Sequence, residues 1–378
     1  MVYRVLYLLL FSFLISCSQS ENQQPGELIF NASLEKVVEM KSLEENEDSW
    51  IVRPRNVTVD NEDRVYVLDQ KMNIIQQFNQ EGNFIRSIGK EGRGPGEFDD
   101  LYNIYADSVL LGHSRATQTI NKFAMNGSFQ ASFPVQGVSG STKMFRVGEQ
   151  FIFFHMNFNA ELEDFYGLHI YNQQFEQVGE AQLHASEIYP DFNKELSYQI
   201  FADFANIHFI DDTRFLIAPT TYSGQLFEYT LNPQSGKWEQ KRPITGVNID
   251  LAYERLSDRQ GADMLFFSQE LNEPMAFRIH GKSLFLTQLS NGRFVHFVQR
   301  DEGKERQYGI ELYDEDLNYM GYSVLKSDPD YTDDERITLY PPRAKDSKGR
   351  FYSINFSGEG ISIEGHKLVI KEGTAGGE

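Results

Sequence analysis

A single cysteine, Cys17, stands in 378 residues. No intrachain disulfide can form, and the body of the chain offers neither thiol catalysis nor a Cys-ligated zinc site. Positive charge is also scarce. The 35 Lys and Arg are outnumbered by 55 Asp and Glu, giving a formal net charge of -20. A surface that acidic repels phosphate backbones and argues against nucleic acid as a partner. No Gly-x-Ser-x-Gly elbow is present, and the glycine run from Gly89 to Gly96 lacks the Gly-Lys-Ser/Thr of a phosphate-binding loop. What is plentiful is aromatic: 30 Phe and 19 Tyr in a chain that is 40% hydrophobic. That is ample material for a packed core, and the bias favours strands over helices.

The longest apolar run lies at the start. Arg4 precedes Val5 to Ile15, a stretch about half as long as the roughly 20 residues a membrane helix needs. It fits the apolar region of a secretory signal. The run ends in Leu14-Ile15-Ser16-Cys17, which resembles the lipobox of bacterial lipoproteins. The resemblance implies a signal peptide over residues 1–16, cleavage before Cys17 and lipidation of Cys17. Several acyl chains would then hold the protein on a membrane. Residues 17–26 read as a flexible polar tether, and Glu21 is the acidic residue within it. Localisation follows as cell envelope, at the outer membrane, on a face the sequence leaves open.

From Arg53 onward the chain reads as short strands and tight polar turns. Val57-x-Val59 ends at Asp60, and Val65 to Leu68 is closed by Asp69. Ile74 to Phe78 follows, and then Phe84 to Ile88 after Glu81-Gly82-Asn83. Four such strands, repeated along a chain, make a propeller blade. The expected class is all-β, a six-bladed propeller of four-stranded antiparallel blades filling residues 27–373 as one domain. The second blade carries Asn126-Gly127, a strong hairpin signal. The third is read through Phe151–Phe154, Gly167–Tyr171 and Phe175–Glu180. The fifth takes in Met275–Ile279, Leu284–Gln288, Phe294–Gln299, a polar loop over 301–307, Gly309–Tyr313 and Tyr319–Leu325. The sixth is read as Arg343–Asp346, Phe351–Asn355, Gly360–Glu364 and Lys367–Lys371. Glu27 to Ser42 supplies a strand that closes the last blade. Insertions are expected at His184–Tyr198 and Asn248–Met264, and Leu251 to Leu256 has helical spacing.

A sub-pattern recurs. Asp60-x-x-x-Arg64-Val65-Tyr66 is echoed by Asp346-x-x-x-Arg350-Phe351-Tyr352 and by Asp211-x-x-Arg214-Phe215. In each, an acidic residue ends one strand and can accept backbone N–H bonds in the turn. Gly89-Lys90-Glu91-Gly92-Arg93-Gly94-Pro95-Gly96-Glu97-Phe98 then leads into the next blade, with Phe98 placed to pack between the two. Taken with Val57-x-Val59-Asp60 and Tyr66-Val67-Leu68-Asp69, this segment resembles an NHL-type repeat. With the lipobox added, the chain is similar to the six-bladed β-propeller lipoproteins of Bacteroides-like bacteria.

Propellers use the mouth of the central channel, where inner strands begin. That register brings forward Arg53, Arg55, Tyr102, Lys143, Asn206 and Arg343, together with Met275. Four of these seven are basic in an acidic chain, so the expected ligand is a carboxylate or an acidic sugar. No catalytic residue, metal ligand or cofactor is assigned. His113, His155, His208 and His280 lie near strand ends without metal-ligand spacing. The acidic stretch Asp328 to Glu335 lacks the glycine of a calcium loop. The leading reading is a lipid-anchored scaffold for an unknown protein or small molecule. The alternative is a lactonase-like hydrolase or lyase using a channel metal, and the fold alone does not choose between them.

Overall fold

Alternation builds the blades. In the computed structural model, Val57, Val65, Val67 and Phe78 point inward from neighbouring strands and bury almost completely. The structure describes residues 30–42, 46–135, 138, 143–155, 161–189, 191–200, 204–268, 273–303, 305–328, 341–358 and 360–373. Among these, strands form six four-stranded antiparallel sheets and one separate three-stranded sheet.

The first blade comprises Pro54–Val59, Val65–Asp69, Ile74–Phe78 and Phe84–Ile88. The second runs from Leu101–Ala106 to Phe129–Pro134, and the third from Lys143–Val147 to Gln182–His184. The fourth runs from Ala205–Asp211 to Trp238–Thr245, and the fifth from Gly281–Gln288 to Tyr319–Asp328. The sixth joins Ala344–Lys345, Arg350–Ser357 and Gly360–Glu372 to the N-terminal strand Phe30–Lys41. The chain is therefore an all-β, six-bladed propeller.

The ring is held by a hydrophobic cluster at each seam. Tyr66, Leu68 and Ile75 meet Leu101, Leu110 and Phe123 between the first two blades. Further clusters join blades two and three, three and four, and four and five. Blade five meets six through Val295, Phe297, Ile310 and Phe351, and six meets one through Met40, Tyr352, Val57 and Val67. Closure depends on the N-terminal strand. It pairs antiparallel with Gly360–Glu372, from Phe30 opposite Glu372 to Lys41 opposite Ser362. A ring closed this way leaves no open sheet edge at the seam.

Several sequence expectations are corrected. Gly360–Glu372 is one long strand, so the fourth strand of the last blade comes from Phe30–Lys41. Residues 273–279 leave the fifth blade. They form the middle strand of the separate sheet, between Tyr253–Leu256 and Met264–Ser268. The helical spacing at Leu251–Leu256 is overridden by that pairing, since Tyr253 lies opposite Ile279 and Leu256 opposite Ala276. The helix sits instead in the earlier insertion, at Lys194–Ile200. The polar loop expected over 301–307 is instead paired strand near a hairpin end, with Asp301 opposite Arg306 and Glu302 opposite Glu305. In the third blade, Phe175 is a turn residue with φ 57°, and Gln182–His184 supplies the outer strand.

Candidate functional site

The turn face of the disc is fixed by the recurring acidic residues. Asp60 accepts the backbone N–H groups of Glu62 and Arg64 on Oδ1, and Arg64 Nε (2.7 Å) and the Tyr66 hydroxyl (2.9 Å) on Oδ2. Asp346 repeats this with Arg350 and Tyr352. Asp211 holds Thr213 and Arg214 but lacks a tyrosine partner, since Leu216 follows Phe215. Burial and the Asp60 charge push the Tyr66 phenol well above its ordinary value, so it stays a donor. Between blades one and two, Phe98 is fully buried and fills the space above two glycines. A Cβ at Gly89 or Gly112 would sit 2.3 or 2.5 Å from its ring.

At the other face, the first strands of five blades, with Pro342 and Arg343 just before the first strand of the sixth, converge on one cavity of about 390 Å³. Its wall includes Arg55, Tyr102, Lys143, Asn206 and Arg343. Arg53 lies outside it, on a rim space of about 580 Å³ between blades one and two that also holds Lys71, Glu91, Asp100 and Arg115. Arg55 and Tyr102 belong to both spaces. Asp69 shapes the rim by accepting the N–H groups of Val52 and Arg53 on one oxygen and those of Lys71 and Met72 on the other. Met275 is not at the mouth. It is buried in the small sheet with Phe277 and Ile279. Cys17 and residues 329–340 lie outside the described residues.

The mouth is cationic. Among the described lining residues of the cavity, Arg55, Lys143 and Arg343 carry charge and no carboxylate is present. The Arg55 guanidinium lies 3.8 Å from the centre of the Tyr102 ring, and Arg115, paired with Asp100 at 2.6 Å, lies 4.5 Å from the same centre. Tyr102 thus packs against two guanidiniums. Lys143 Nζ donates to the Ala205 carbonyl (2.5 Å) and to Asn206 Oδ1 (2.9 Å).

Behind Asn206 runs a line of buried polar groups that the sequence reading does not contain. Asn206 Nδ2 donates to Ser283 Oγ (2.9 Å), which lies 2.8 Å from His296 Nε2. His296 Nδ1 lies 2.6 Å from Glu311 Oε2, and the two residues are directly cross-strand. Glu311 also accepts from Tyr222, Tyr313 and the Val247 N–H. Burial first, and the Glu311 charge second, push both phenols far above their ordinary range. A signal was available in Val295-His296-Phe297 and Ile310-Glu311-Leu312, where a polar residue interrupts an apolar strand.

The four histidines singled out from sequence do not converge. His113 is buried on the second blade, and burial pushes its imidazole down to about 4. His155 stacks on His169, with ring centres 4.0 Å apart. His208 Nε2 accepts the Gln288 N–H. His280 lies between Asp301 and Glu254, beside the Arg306 contacts that fasten the small sheet. Among the described residues, no group of three or more His, Cys, Asp or Glu could hold a metal ion.

Residues 19–178 match the model of family DUF5128, described as a 6-bladed beta-propeller. A DUF4221 family member from Bacteroides vulgatus superposes with a TM-score of 0.52 at 10% identity, covering 93% of this chain and 100% of its own. A second Bacteroides protein, from Bacteroides fragilis, gives 0.49 at 11% identity over 92% and 96%. A streptogramin B lyase gives 0.45 at 11% identity over 90% and 98%. No curated protein matches the chain. At these identities the likeness shows the fold.

Proposed function

We propose that this protein is a lipid-anchored binding scaffold of the cell envelope that captures a small polycarboxylate or acidic sugar at the mouth of its channel. The anchor rests on Cys17 and the apolar run before it. The ligand class rests on one observation above all. Arg55, at the junction of cavity and rim, is held by the face of Tyr102 and not by a carboxylate. A π face fixes a guanidinium in place while leaving its charge and N–H donors for a ligand. Lys143 and Arg343 add charge along the same wall, in a chain of net charge -20. Low-dielectric walls focus such a field outward and concentrate anions at the mouth. Two guanidiniums crowd the Tyr102 ring, so recognition is expected to run through charge and hydrogen bonds.

The described lining residues favour a scaffold over a metal-dependent hydrolase or lyase. They include no His, Cys, Asp or Glu, and offer a cation only neutral oxygens such as those of Asn56, Asn103 and Asn206 beside three basic side chains. Titration calorimetry with citrate and with digalacturonate tests the reading. Replacing Arg55 by Ala removes a charge-assisted contact of about 1.5–3 kcal/mol, roughly ten- to hundredfold in Kd. Wild-type protein that binds neither probe, or Arg55→Ala with unchanged affinity, overturns it.

A further inference from the structure

The buried line behind Asn206 has a direction. Four donor groups converge on the Glu311 carboxylate: the hydroxyls of Tyr222 and Tyr313, the Val247 N–H and His296 Nδ1. An ionised carboxylate only accepts, so His296 carries its proton on Nδ1. In a neutral ring Nε2 is then an acceptor, and the Ser283 hydroxyl donates to it. Having spent its proton there, Ser283 Oγ accepts from Asn206 Nδ2. The Asn206 amide is thereby turned with Oδ1 toward Lys143 Nζ. Each step leaves the next one a single choice, and the choices start at a side chain with no exposure to solvent.

We propose that Glu311 and His296 are positioning residues for the anion site: through Ser283 they set the orientation of Asn206, and so the place of the Lys143 ammonium in the cavity. This rests on the anion reading for its benefit to the ligand, but the orientation itself is a property of the unliganded protein. The alternative use of the same atoms, Ser283 as an activated nucleophile, does not fit. Ser283 is 1% exposed, it is absent from the cavity wall, and both its hydrogen-bonding directions are used. An asparagine amide also interrupts any proton relay to Lys143, because it exchanges no proton under ordinary conditions. What remains is the fixing of geometry, from a charge that never meets the ligand.

Reversal of the line is the decisive consequence. In Glu311→Gln an amide NH₂ can face His296 Nδ1, which then accepts. The proton moves to Nε2, Ser283 must accept from it, and its hydroxyl turns to Asn206, whose Oδ1 swings away from Lys143. Histidine ¹⁵N NMR on the full domain reads this directly. Wild type should show His296 protonated on Nδ1 and not on Nε2, and Glu311→Gln should show it protonated on Nε2. In parallel, citrate affinity should fall tenfold or more in Glu311→Gln and in Ser283→Ala, and return close to wild type in Ser283→Thr, which keeps the hydroxyl. A wild-type His296 protonated on Nε2, or the same tautomer in both proteins, overturns the proposal. So does citrate affinity unchanged in both Glu311→Gln and Ser283→Ala. Should wild-type protein bind no citrate at all, the anion reading falls, and the tautomer comparison still decides the orientation of the line.

Discussion

His113 gives the protein a calculable sensitivity to acid. Its ring is wholly buried. Burial, and then the nearby Arg115 charge, push the imidazole down to about 4 against partial support from Asp100. An unfolded histidine titrates near 6.5, so between the two values the unfolded chain takes up a proton that the folded chain refuses. Stability is therefore complete above about pH 6.5 and declines as pH falls toward 4, where the folded state begins to protonate as well. Going from about pH 7.5 to about pH 5, this one group removes about 2 kcal/mol. Urea unfolding at the two pH values, followed by circular dichroism, measures the loss. Other histidines add to the total, so the informative quantity is the difference between proteins. In His113→Phe, the loss between the two pH values should shrink by about 2 kcal/mol. His113→Gln provides the same comparison if the larger ring disturbs folding. A folded variant that keeps the full wild-type acid loss refutes the reasoning.

Two further outcomes follow from the fold. Asp60→Ala should cost about 3 kcal/mol in the same urea assay, because it strips two backbone amides, Arg64 Nε and the buried Tyr66 hydroxyl of their acceptor. Tyr66→Phe should cost about 1 kcal/mol, and a double-mutant cycle should show the two coupled. A chain beginning at residue 43 should lose cooperative unfolding, since it lacks the strand that completes the sixth blade. Adding Phe30–Lys41 as a separate peptide should restore part of it, as monitored by circular dichroism.

Blade architecture was legible because the inner strands carry alternating apolar residues and end at acidic turn residues whose geometry repeats. Arg55, Tyr102, Lys143, Asn206 and Arg343 stand at or just before the starts of those strands, so the same pattern places them on the cavity wall. Met275 was misplaced because Met275–Ile279 has the same alternation as an inner strand, and only its pairing with Tyr253–Leu256 assigns it elsewhere. The Ser283, His296 and Glu311 line could not be assembled from spacing. Its members sit on three different strands, and their meeting depends on register between strands, which one residue of slip would abolish. In the glycine segment before Phe98, Gly89 was legible as a neighbour of that ring, whereas its contact with Gly112 comes from the next blade.

The direction of the strand Phe30–Lys41 carries one more meaning. Phe30 lies opposite Glu372, at the end of the blade where the Asp346 turn sits, whereas Lys41 lies opposite Ser362, toward the end where the cavity opens. The polypeptide thus enters the disc from underneath. The described chain therefore begins on the turn side of the disc, and the basic opening lies on the opposite side.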